Sequence, residues 1–365
     1  MPSARPITLV ALVAGGGGGV ARYARMLVPA LDRVNSEYDL RVSLLTTPAT
    51  AERLEPLSSI SIRLPGAASA FRRRPLVENI AASFAPRTDM LHFFDLVAPL
   101  FLPFRDFTTT VHDAAAVHYR MTPMRRWYRR AMQPWAVRRA EAVIAVSSFA
   151  AEEAIRHLGA DRSRVHVAQS GPGLVSGSPE KPSIELRQRP YLLYVGGLAE
   201  NKKVDLLVRA FDRSAADADL VLVGRPAEGW TDLQRAIAQA RAHDRITVMP
   251  DASDSDVDLL YRNALALLLP SEYEGFGFTP LEAMARDCPA LASDIPAVRE
   301  VSGTGALLVA VNDELAWSEA IARVVADEEL RAELRVRGQA TVMRYSWEKT
   351  ARRLFEIWLS LPPAT

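Results

Sequence analysis

The residues with the clearest chemical potential lie in one stretch, SEYEGFGFTPLEAMA at 271–285. Two carboxylates, Glu274 and Glu282, stand on either side of the turn GFGF. Thr279 and Pro280 predict the N-cap and the first position of a helix, which makes Glu282 the third helical residue and a capping-box acid. This interpretation explains Glu282 without any ligand and leaves Glu274 unexplained.

The glycines of the same turn predict a second role for the stretch. Gly275 and Gly277 allow backbone N–H groups to stay exposed at the start of a helix, where they can hold a phosphate. The two carboxylates would then serve sugar or ribose hydroxyls. Capping and ligand binding by Glu282 are compatible, so both roles stay open.

A second glycine run, GGGGGVARYAR at 15–25, follows the first predicted strand. It lacks the G-x-G-x-x-G spacing of a dinucleotide site, and Thr46 and Thr47 stand where such a site needs an acid. Glycines at a helix start still favour the close approach of an anion. The run therefore predicts either a phosphate contact or a plain flexible turn.

The basic and imidazole side chains add three candidates. Lys202 and Lys203 are adjacent in a chain whose other lysines are Lys181 and Lys349. We interpret the pair as phosphate-neutralising, with solvated charge at a helix start as the alternative. His112 follows the predicted strand TTTV, and spacing alone leaves a structural and a catalytic role open.

Metal binding is not expected. Two D-x-D patterns, DADL at 217–220 and DSDVD at 254–258, could hold a metal-nucleotide, but the second stands at a predicted helix start, where capping is the better account. The one cysteine, Cys288, forms no intrachain disulfide, and no Cys or His cluster is spaced for a metal. His92, in MLHFF, is expected to be structural. We therefore predict no metal and no cofactor.

Alternating strands and helices must position these residues. One series of apolar strands comprises PITLVALVA, DLRVSLLTT, DMLHFF, FTTTVHD and EAVIAVSS, and a second runs from YLLYVGG through ADLVLVG, ITVMP and LALLLPS to PALASD. This alternation predicts an α/β protein with two Rossmann-like, doubly wound domains. Such sheets bind ligands at the carboxyl ends of their strands, so two that face each other would form an interdomain cleft.

The domain boundaries follow from composition. A segment rich in Pro, Gly and Ser at 171–190 predicts a linker between an N-terminal domain over 1–170 and a C-terminal domain over 191–345. The final segment, 346–365, carries apolar residues at helical spacing. We expect it to be a helix that packs back toward the N-terminal domain.

Length and composition fit this organisation. The 365 residues suit two domains, and 49% hydrophobic with 24% charged residues excludes disordered, collagen-like and coiled-coil proteins. Unbroken apolar runs such as 264–269 are far shorter than the ~20 residues of a membrane helix. With a single cysteine, a cytoplasmic location is expected. Residues 1–170 carry eight excess positive charges and 171–365 seven excess negative ones, so the halves should attract each other.

The segment 119–139, YRMTPMRRWYRRAMQPWAVRR, holds seven arginines interleaved with aromatic and Met side chains. Nucleic acid, a membrane surface and an anionic acceptor all suit such a patch. Arginines that simply pack over the domain surface explain it as well, and we favour that account slightly. Peripheral membrane contact is kept as a prediction, and nucleic acid is not expected.

Together these pieces resemble the retaining family-4 glycosyltransferases with the GT-B fold. The E-x7-E spacing from Glu274 to Glu282 looks like their signature. The family's other pieces occur in its order: GGVARY at 18–23, VHD at 111–113, AVIAVSSFA at 142–150, VGGLAENKKVDLLVRAF at 195–211 and YSW at 345–347. The resemblance runs over nearly the whole chain.

The resemblance implies roles for individual residues. Glu282 would bind the nucleotide ribose, Glu274 would approach the donor sugar hydroxyls, and Lys202 would neutralise the diphosphate. His112 would contact the donor sugar, which makes His112, Glu274 and Lys202 the predicted catalytic set. The predicted donor-binding set comprises Gly18, Gly19, Gly197, Lys203, Gly275, Phe276, Gly277, Phe278, Thr279 and Glu282.

The implied activity is transfer of a hexose or deoxyhexose from a nucleoside-diphosphate sugar to a hydroxyl acceptor, with retained anomeric configuration. The acceptor would be a saccharide, a lipid-linked glycan or a natural product. The family commonly has Arg where this chain has Gly197, and often another where it has Asn201. Neutralisation of the diphosphate would then rest on Lys202, alone or with help from Lys203 or from an arginine elsewhere in the chain.

Other functions are weighed against this one. The alternatives are a GT-B sugar-nucleotide epimerase and a non-catalytic glycosyltransferase-like partner protein. A glycoside hydrolase that uses Glu274 and Glu282 is disfavoured, because a capping carboxylate faces backbone N–H groups.

Overall fold

The computed structural model describes residues 5–15, 18–54, 59–61, 74–96, 106–114, 123–173, 189–227 and 230–362. The chain divides into two compact units. The first unit comprises Met1–Gly171 together with Ser346–Thr365, and the second comprises Pro172–Tyr345. Most of the segment 171–190, predicted as a linker, lies outside the described residues.

The first unit is built on a parallel sheet. Its strands are β1 (Ile7–Val10), β2 (Val42–Thr46), β3 (Ser59–Ser61), β4 (Met90–Phe93), β5 (Phe107–Val111), β6 (Ala142–Ala145) and β7 (Val165–Val167). They pair in the order β3-β2-β1-β4-β5-β6-β7. In the register, Val10 of β1 lies between Leu45 and Phe93. All three are buried, as expected of strands covered on both faces.

The second unit repeats the plan with a parallel sheet of its own. Its strands are β8 (Tyr191–Val195), β9 (Asp219–Val223), β10 (Ile246–Met249), β11 (Ala266–Leu269), β12 (Ala290–Ser293) and β13 (Ala306–Val309). The order is β10-β9-β8-β11-β12-β13, the doubly wound arrangement. The chain therefore has two Rossmann-like, doubly wound domains, as the sequence predicts.

Helices connect the strands of both sheets. In the first unit they are α1 (Gly19–Asn35), α2 (Pro48–Leu54), α3 (Arg74–Ala82), α4 (Pro123–Arg139), α5 (Ser148–Leu158) and the terminal α13 (Trp347–Ser360). In the second unit they are α6 (Val204–Ser214), α7 (Trp230–Gln239), α8 (Asp254–Asn263), α9 (Phe278–Met284), α10 (Pro296–Ser302), α11 (Glu314–Ala326) and α12 (Glu328–Val342).

The terminal helix α13 packs within the first unit, against α1. Arg352 pairs with Glu37 at 2.7 Å, and Phe355 stacks on Tyr38 with ring centroids 4.4 Å apart. The indole Nε1 of Trp358 donates to Thr108 on β5. The apolar stripe of this helix is thus buried against the first unit.

Some predicted elements differ in length from the observed ones. The first predicted strand, PITLVALVA, ends at Val10, and Leu12–Gly15 form a short 3-10 helix instead. The short strands β3 and β7, and the elements from α10 to α12, lie outside the predicted series. Short polar strands such as β3 carry too few apolar residues to stand out from a loop.

Candidate functional site

The order of strands in the second sheet reverses at one point, between β8 and β11, which lie side by side. In open α/β sheets, ligands bind at the carboxyl ends of strands at such a switch point. The loop after β8 spans 196–203, and the loop after β11 spans 270–277. These two loops contain half of the predicted donor-binding set, together with Lys202 and Glu274 of the predicted catalytic set.

Two ion pairs join these loops. Lys202 Nζ lies 2.7 Å from Glu274 Oε1, and Lys203 Nζ lies 2.9 Å from Glu272 Oε2. The backbone N–H of Glu272 also donates to the Asn201 carbonyl at 3.1 Å. Residues separated by about 70 positions in sequence are thereby brought together, and two of the three predicted catalytic residues are in direct contact.

The loop after β8 has a backbone that depends on glycine. A Cβ atom at Gly224 would fall 1.7 Å from the carbonyl oxygen of Gly196, so only glycine allows the ends of β9 and β8 to approach so closely. The Tyr194 hydroxyl donates to the Gly197 carbonyl at 2.8 Å. Burial, and to a lesser degree the charge of Glu274, raises the pKa of Tyr194. The Tyr194 hydroxyl therefore stays protonated at physiological pH and remains a hydrogen-bond donor.

The helix after the GFGF turn begins earlier than predicted. Gly277, with φ 88°, is its N-cap, and Phe278 is the first helical residue. The prediction that Thr279 is the N-cap and Glu282 the third residue of a capping box is wrong, because the left-handed conformation of Gly277 starts the helix two residues sooner. Phe276 is buried and packs on Phe278, with ring centroids 5.1 Å apart.

Glu282 is held from within the protein. Its Oε2 accepts a hydrogen bond from the Tyr261 hydroxyl at 3.0 Å, and both side chains are buried. Arg286 lies over the Tyr261 ring and donates to the Glu282 carbonyl and to the Asp258 carboxylate. The Glu274 side chain is 17% exposed whereas Glu282 is fully buried, so Glu274 is the more accessible of the two signature carboxylates.

The first sheet also has a switch point, between β1 and β4. Gly18 precedes α1 as its N-cap with φ 87°, and Gly19 begins the helix. No heavy atom lies within 4 Å of a Cβ placed at either glycine, so the described backbone is open there. Gly16 and Gly17, in the same run, lie outside the described residues.

His112 lies close to the same switch point, at the end of β5. Its Nε2 is 2.8 Å from the Phe94 carbonyl, the hydrogen-bonding position that holds a proton on Nε2. The Tyr23 ring contacts the His112 ring edge-on at 4.8 Å and the Trp347 ring at 5.4 Å. One residue from each of three separate sequence pieces, Tyr23 of GGVARY, His112 of VHD and Trp347 of YSW, therefore meets the others within the first unit.

His92 is a structural residue, as expected. It is buried, and its Nδ1 lies 2.9 Å from Thr108 Oγ1. Burial, assisted by nearby His112, lowers the pKa of His92 to about 3. The ring is therefore neutral at physiological pH and acts as a packing and hydrogen-bonding group.

The acidic patterns that could have bound a metal-nucleotide are engaged by the protein. Asp256 accepts from the backbone N–H and the hydroxyl of Ser253, which forms a capping box at the start of α8. Asp217 and Asp219 both pair with Arg189. Across the described ranges, no three His, Cys, Asp or Glu side chains are grouped as a metal site would need. Burial raises the pKa of the Cys288 thiol to about 12.

Sequence reasoning missed several residues of the site. Glu272 stands two positions before Glu274, opposite an adjacent lysine pair, and this E-x-E spacing was the available signal. Tyr194, Tyr261 and Arg286 carry no such signal, because their roles depend on tertiary contacts with residues far along the chain.

The basic segment 119–139 is partly described. Its residues 123–139 form α4, and residues 119–122 lie outside the described part. Arg139 lies over the Trp135 ring at 5.7 Å, a contact of the packing kind that we favoured. None of the helices in the described residues is both long and apolar enough to cross a membrane.

Comparison with known proteins gives two family matches. Residues 17–171 match the model of Glycosyltransferase Family 4, and residues 179–341 match that of Glycosyl transferases group 1. The O-antigen chain mannosyltransferase RfbU of Salmonella typhimurium is 28% identical over 60% of this chain and 61% of its own. The alpha-maltose-1-phosphate synthase of Mycolicibacterium smegmatis is 32% identical over 61% of this chain and 64% of its own. This chain spans between about half and three fifths of the length of the first three curated relatives that it matches.

Solved structures share the fold over the whole chain. Sucrose-phosphate synthase from Thermosynechococcus elongatus superposes with a TM-score of 0.76 at 21% identity, covering 97% of this chain and 98% of that one. Anabaena HepE, in complex with UDP and glucose, gives 0.72 at 20% identity with the same coverage. With two family matches in sequence order and this architecture, the chain is a GT-B protein of the glycosyltransferase group 1 and family 4 type.

Proposed function

We propose that the protein transfers a hexose or deoxyhexose from a nucleoside-diphosphate sugar to a hydroxyl acceptor, with retention of anomeric configuration. One observation carries the proposal. The loops at the switch point of the second sheet bring Lys202 and Glu274 into contact, so a cation suited to a diphosphate and a carboxylate suited to sugar hydroxyls occupy one place.

The chemistry follows from the leaving group. Cleavage of the sugar–phosphate bond leaves a nucleoside diphosphate, whose developing negative charge must be stabilised in the transition state. Lys202 is the proposed source of that charge, with Lys203 beside it. The resemblance supports front-side displacement, in which the leaving phosphate takes the acceptor proton and no enzyme nucleophile forms a covalent bond.

The remaining predicted residues keep the roles that the resemblance gives them. His112, which the Phe94 carbonyl and the Tyr23 ring hold in place, is proposed to contact the donor sugar. The backbone around Gly275 to Thr279 and at Gly18 and Gly19 is proposed to contact the diphosphate. Glu282 is proposed to bind the ribose, and because it is buried this contact requires movement of nearby side chains.

Further proposals concern cofactors and partners. The reaction is proposed to need no metal or cofactor. Peripheral membrane contact through 119–139 stays a prediction, and the acceptor would be a saccharide, a lipid-linked glycan or a natural product. Relatives named as an O-antigen mannosyltransferase and a maltose-1-phosphate synthase support a sugar acceptor.

The first test is a mass-spectrometric screen of sugar nucleotides for enzyme-dependent hydrolysis, and then for transfer to saccharide acceptors. With the active donor, Lys202→Ala should lower kcat/KM by ~10²-fold, the scale of losing one preorganised charge partner. Lys203→Ala, which removes the neighbouring cation, should cost clearly less. Activity of Lys202→Ala within about twofold of wild type would contradict the assignment.

A further inference from the structure

The Lys202–Glu274 ion pair joins the two groups that are proposed to hold different parts of one donor molecule. Lys202 is assigned to the diphosphate and Glu274 to the sugar, yet their charged atoms lie 2.7 Å apart. The side chains are 22% and 17% exposed, so water screens the pair only in part. Whatever recruits Lys202 to a phosphate must therefore weaken or share its contact with Glu274.

The cost of that recruitment depends on what else is bound. When a sugar is attached to the diphosphate, its hydroxyls can donate to the Glu274 carboxylate and replace the ammonium as hydrogen-bond partner. When the nucleoside diphosphate alone is present, nothing replaces Lys202, and a half-buried carboxylate would lose its cation. Contact between Lys202 and the phosphate therefore costs less free energy when the sugar is attached than when it is absent.

We propose that this ion pair makes the affinity for the diphosphate depend on the attached sugar, so that the product nucleoside diphosphate binds more weakly than the intact donor. The inference rests on the proposed function. Its consequence is preferential binding of unreacted donor and faster release of the product, because Glu274 reclaims Lys202 once the sugar has left.

The adjacent pair of Lys203 and Glu272 supplies a matched control. It joins the same two loops at 2.9 Å, and its side chains are 24% and 21% exposed. Glu272→Gln and Glu274→Gln each remove one negative charge from the same loop and keep the side-chain volume. A general electrostatic effect would therefore appear in both variants, whereas competition for Lys202 would appear only in Glu274→Gln.

The experiment is isothermal titration calorimetry without acceptor, using UDP, UDP-glucose, GDP and GDP-mannose. In Glu274→Gln, we expect the affinity for the nucleoside diphosphate to rise by about three- to tenfold, as expected for releasing one partly buried charge pair. The affinity for the sugar nucleotide should fall, so the wild-type preference for the donor disappears. In Glu272→Gln, both affinities should change by the same factor, which leaves the preference intact.

A double-mutant cycle with Lys202→Met tests whether Glu274 acts on nucleotide affinity through Lys202. If Glu274 acts through Lys202, the gain in nucleoside-diphosphate affinity should vanish in the double variant Lys202→Met/Glu274→Gln. A gain of affinity also cannot come from misfolding.

Three results would overturn the inference. Two of them leave the proposed function standing: unchanged or weaker nucleoside-diphosphate binding in Glu274→Gln, and an equal change of preference in Glu272→Gln. The third, a wild-type protein that binds none of the four nucleotides and hydrolyses no sugar nucleotide in the screen, would overturn the proposed function as well.

Discussion

Gly197 is one of two residues at which the chain departs from the pattern of the family it resembles, which commonly has Arg there. A Cβ atom at Gly197 would meet no heavy atom within 4 Å, and the backbone needs no left-handed conformation at this position. Its carbonyl accepts a hydrogen bond from the Tyr194 hydroxyl. The position therefore accepts a side chain, and its glycine leaves the neighbouring lysines as the local cations of this loop.

The first prediction is that Gly197→Arg tightens binding of nucleoside diphosphates. A guanidinium added beside Lys202 gives the diphosphate a further charge-assisted partner, for which we expect a gain of about three- to tenfold. Calorimetry with UDP and GDP measures it. Gly197→Ala is the control, since it adds no charge and should leave the affinity within about twofold. Weaker binding by the Arg variant would show that this loop does not face the diphosphate.

At the scale of elements, three oppositely charged side chains join α8 to the residues that follow α9. Asp258 on α8 accepts from Arg262 at 2.7 Å and from Arg286, just after α9, at 2.6 Å. The Arg286 side chain is 0% exposed, whereas that of Arg262 is 48% exposed. The two arginines share one carboxylate, but Arg286 is buried and also contacts the Glu282 carbonyl and the Tyr261 ring.

This difference predicts unequal effects on stability. Arg286→Ala should lower the free energy of unfolding by ~3 kcal/mol, because it leaves a cavity and removes one partner of a buried pair. Arg262→Ala should cost at most ~1 kcal/mol, as an exposed partner does. Urea unfolding followed by tryptophan fluorescence and circular dichroism measures both. Equal losses would mean that burial does not set the strength of these contacts.

The elements show how far local sequence pattern determines this structure. Alternating apolar strands and helical periodicity predict both doubly wound sheets, because buried parallel strands are continuously apolar. The predicted start of α9 was wrong by two residues, since the helix starts from its N-cap at the left-handed Gly277 and not at the Thr–Pro pair. The Lys202–Glu274 contact links residues 72 positions apart, so spacing predicted each residue but not their pairing. The assigned roles of the site residues stay predictions.

At the scale of the whole molecule, the chain builds two units of the same kind and then returns to the first. It enters the second unit after Gly171 and leaves it before Ser346. A Cβ atom at Gly171 would fall 2.7 Å from the Trp347 ring, so the two crossing points pack closely together inside the first unit. Each unit keeps its own switch point, so the residues proposed to act on the donor come from both halves of the sequence.

Metal independence is the prediction that concerns the charge balance of the molecule as a whole. The two D-x-D patterns are the acids best spaced for a metal-nucleotide, and contacts within the protein engage several of them: Asp256 completes the Ser253 capping box of α8, while Asp217 and Asp219 pair with Arg189. Neutralisation of a diphosphate would then fall to Lys202 and to backbone N–H groups at helix starts.

We therefore expect turnover of the active sugar nucleotide to stay within about twofold of its normal rate in excess EDTA, and Mg²⁺ or Mn²⁺ added afterwards to change nothing. Asp256→Asn serves as the companion variant, since its loss of a capping carboxylate should lower stability by ~1 kcal/mol with no new response to metal. Turnover that falls in EDTA and returns with Mg²⁺ or Mn²⁺ would instead mean that a metal ion carries the charge assigned to Lys202. The Lys202→Ala variant would then retain most of its activity in the presence of that metal, which makes the two measurements a joint test of where the diphosphate charge is balanced.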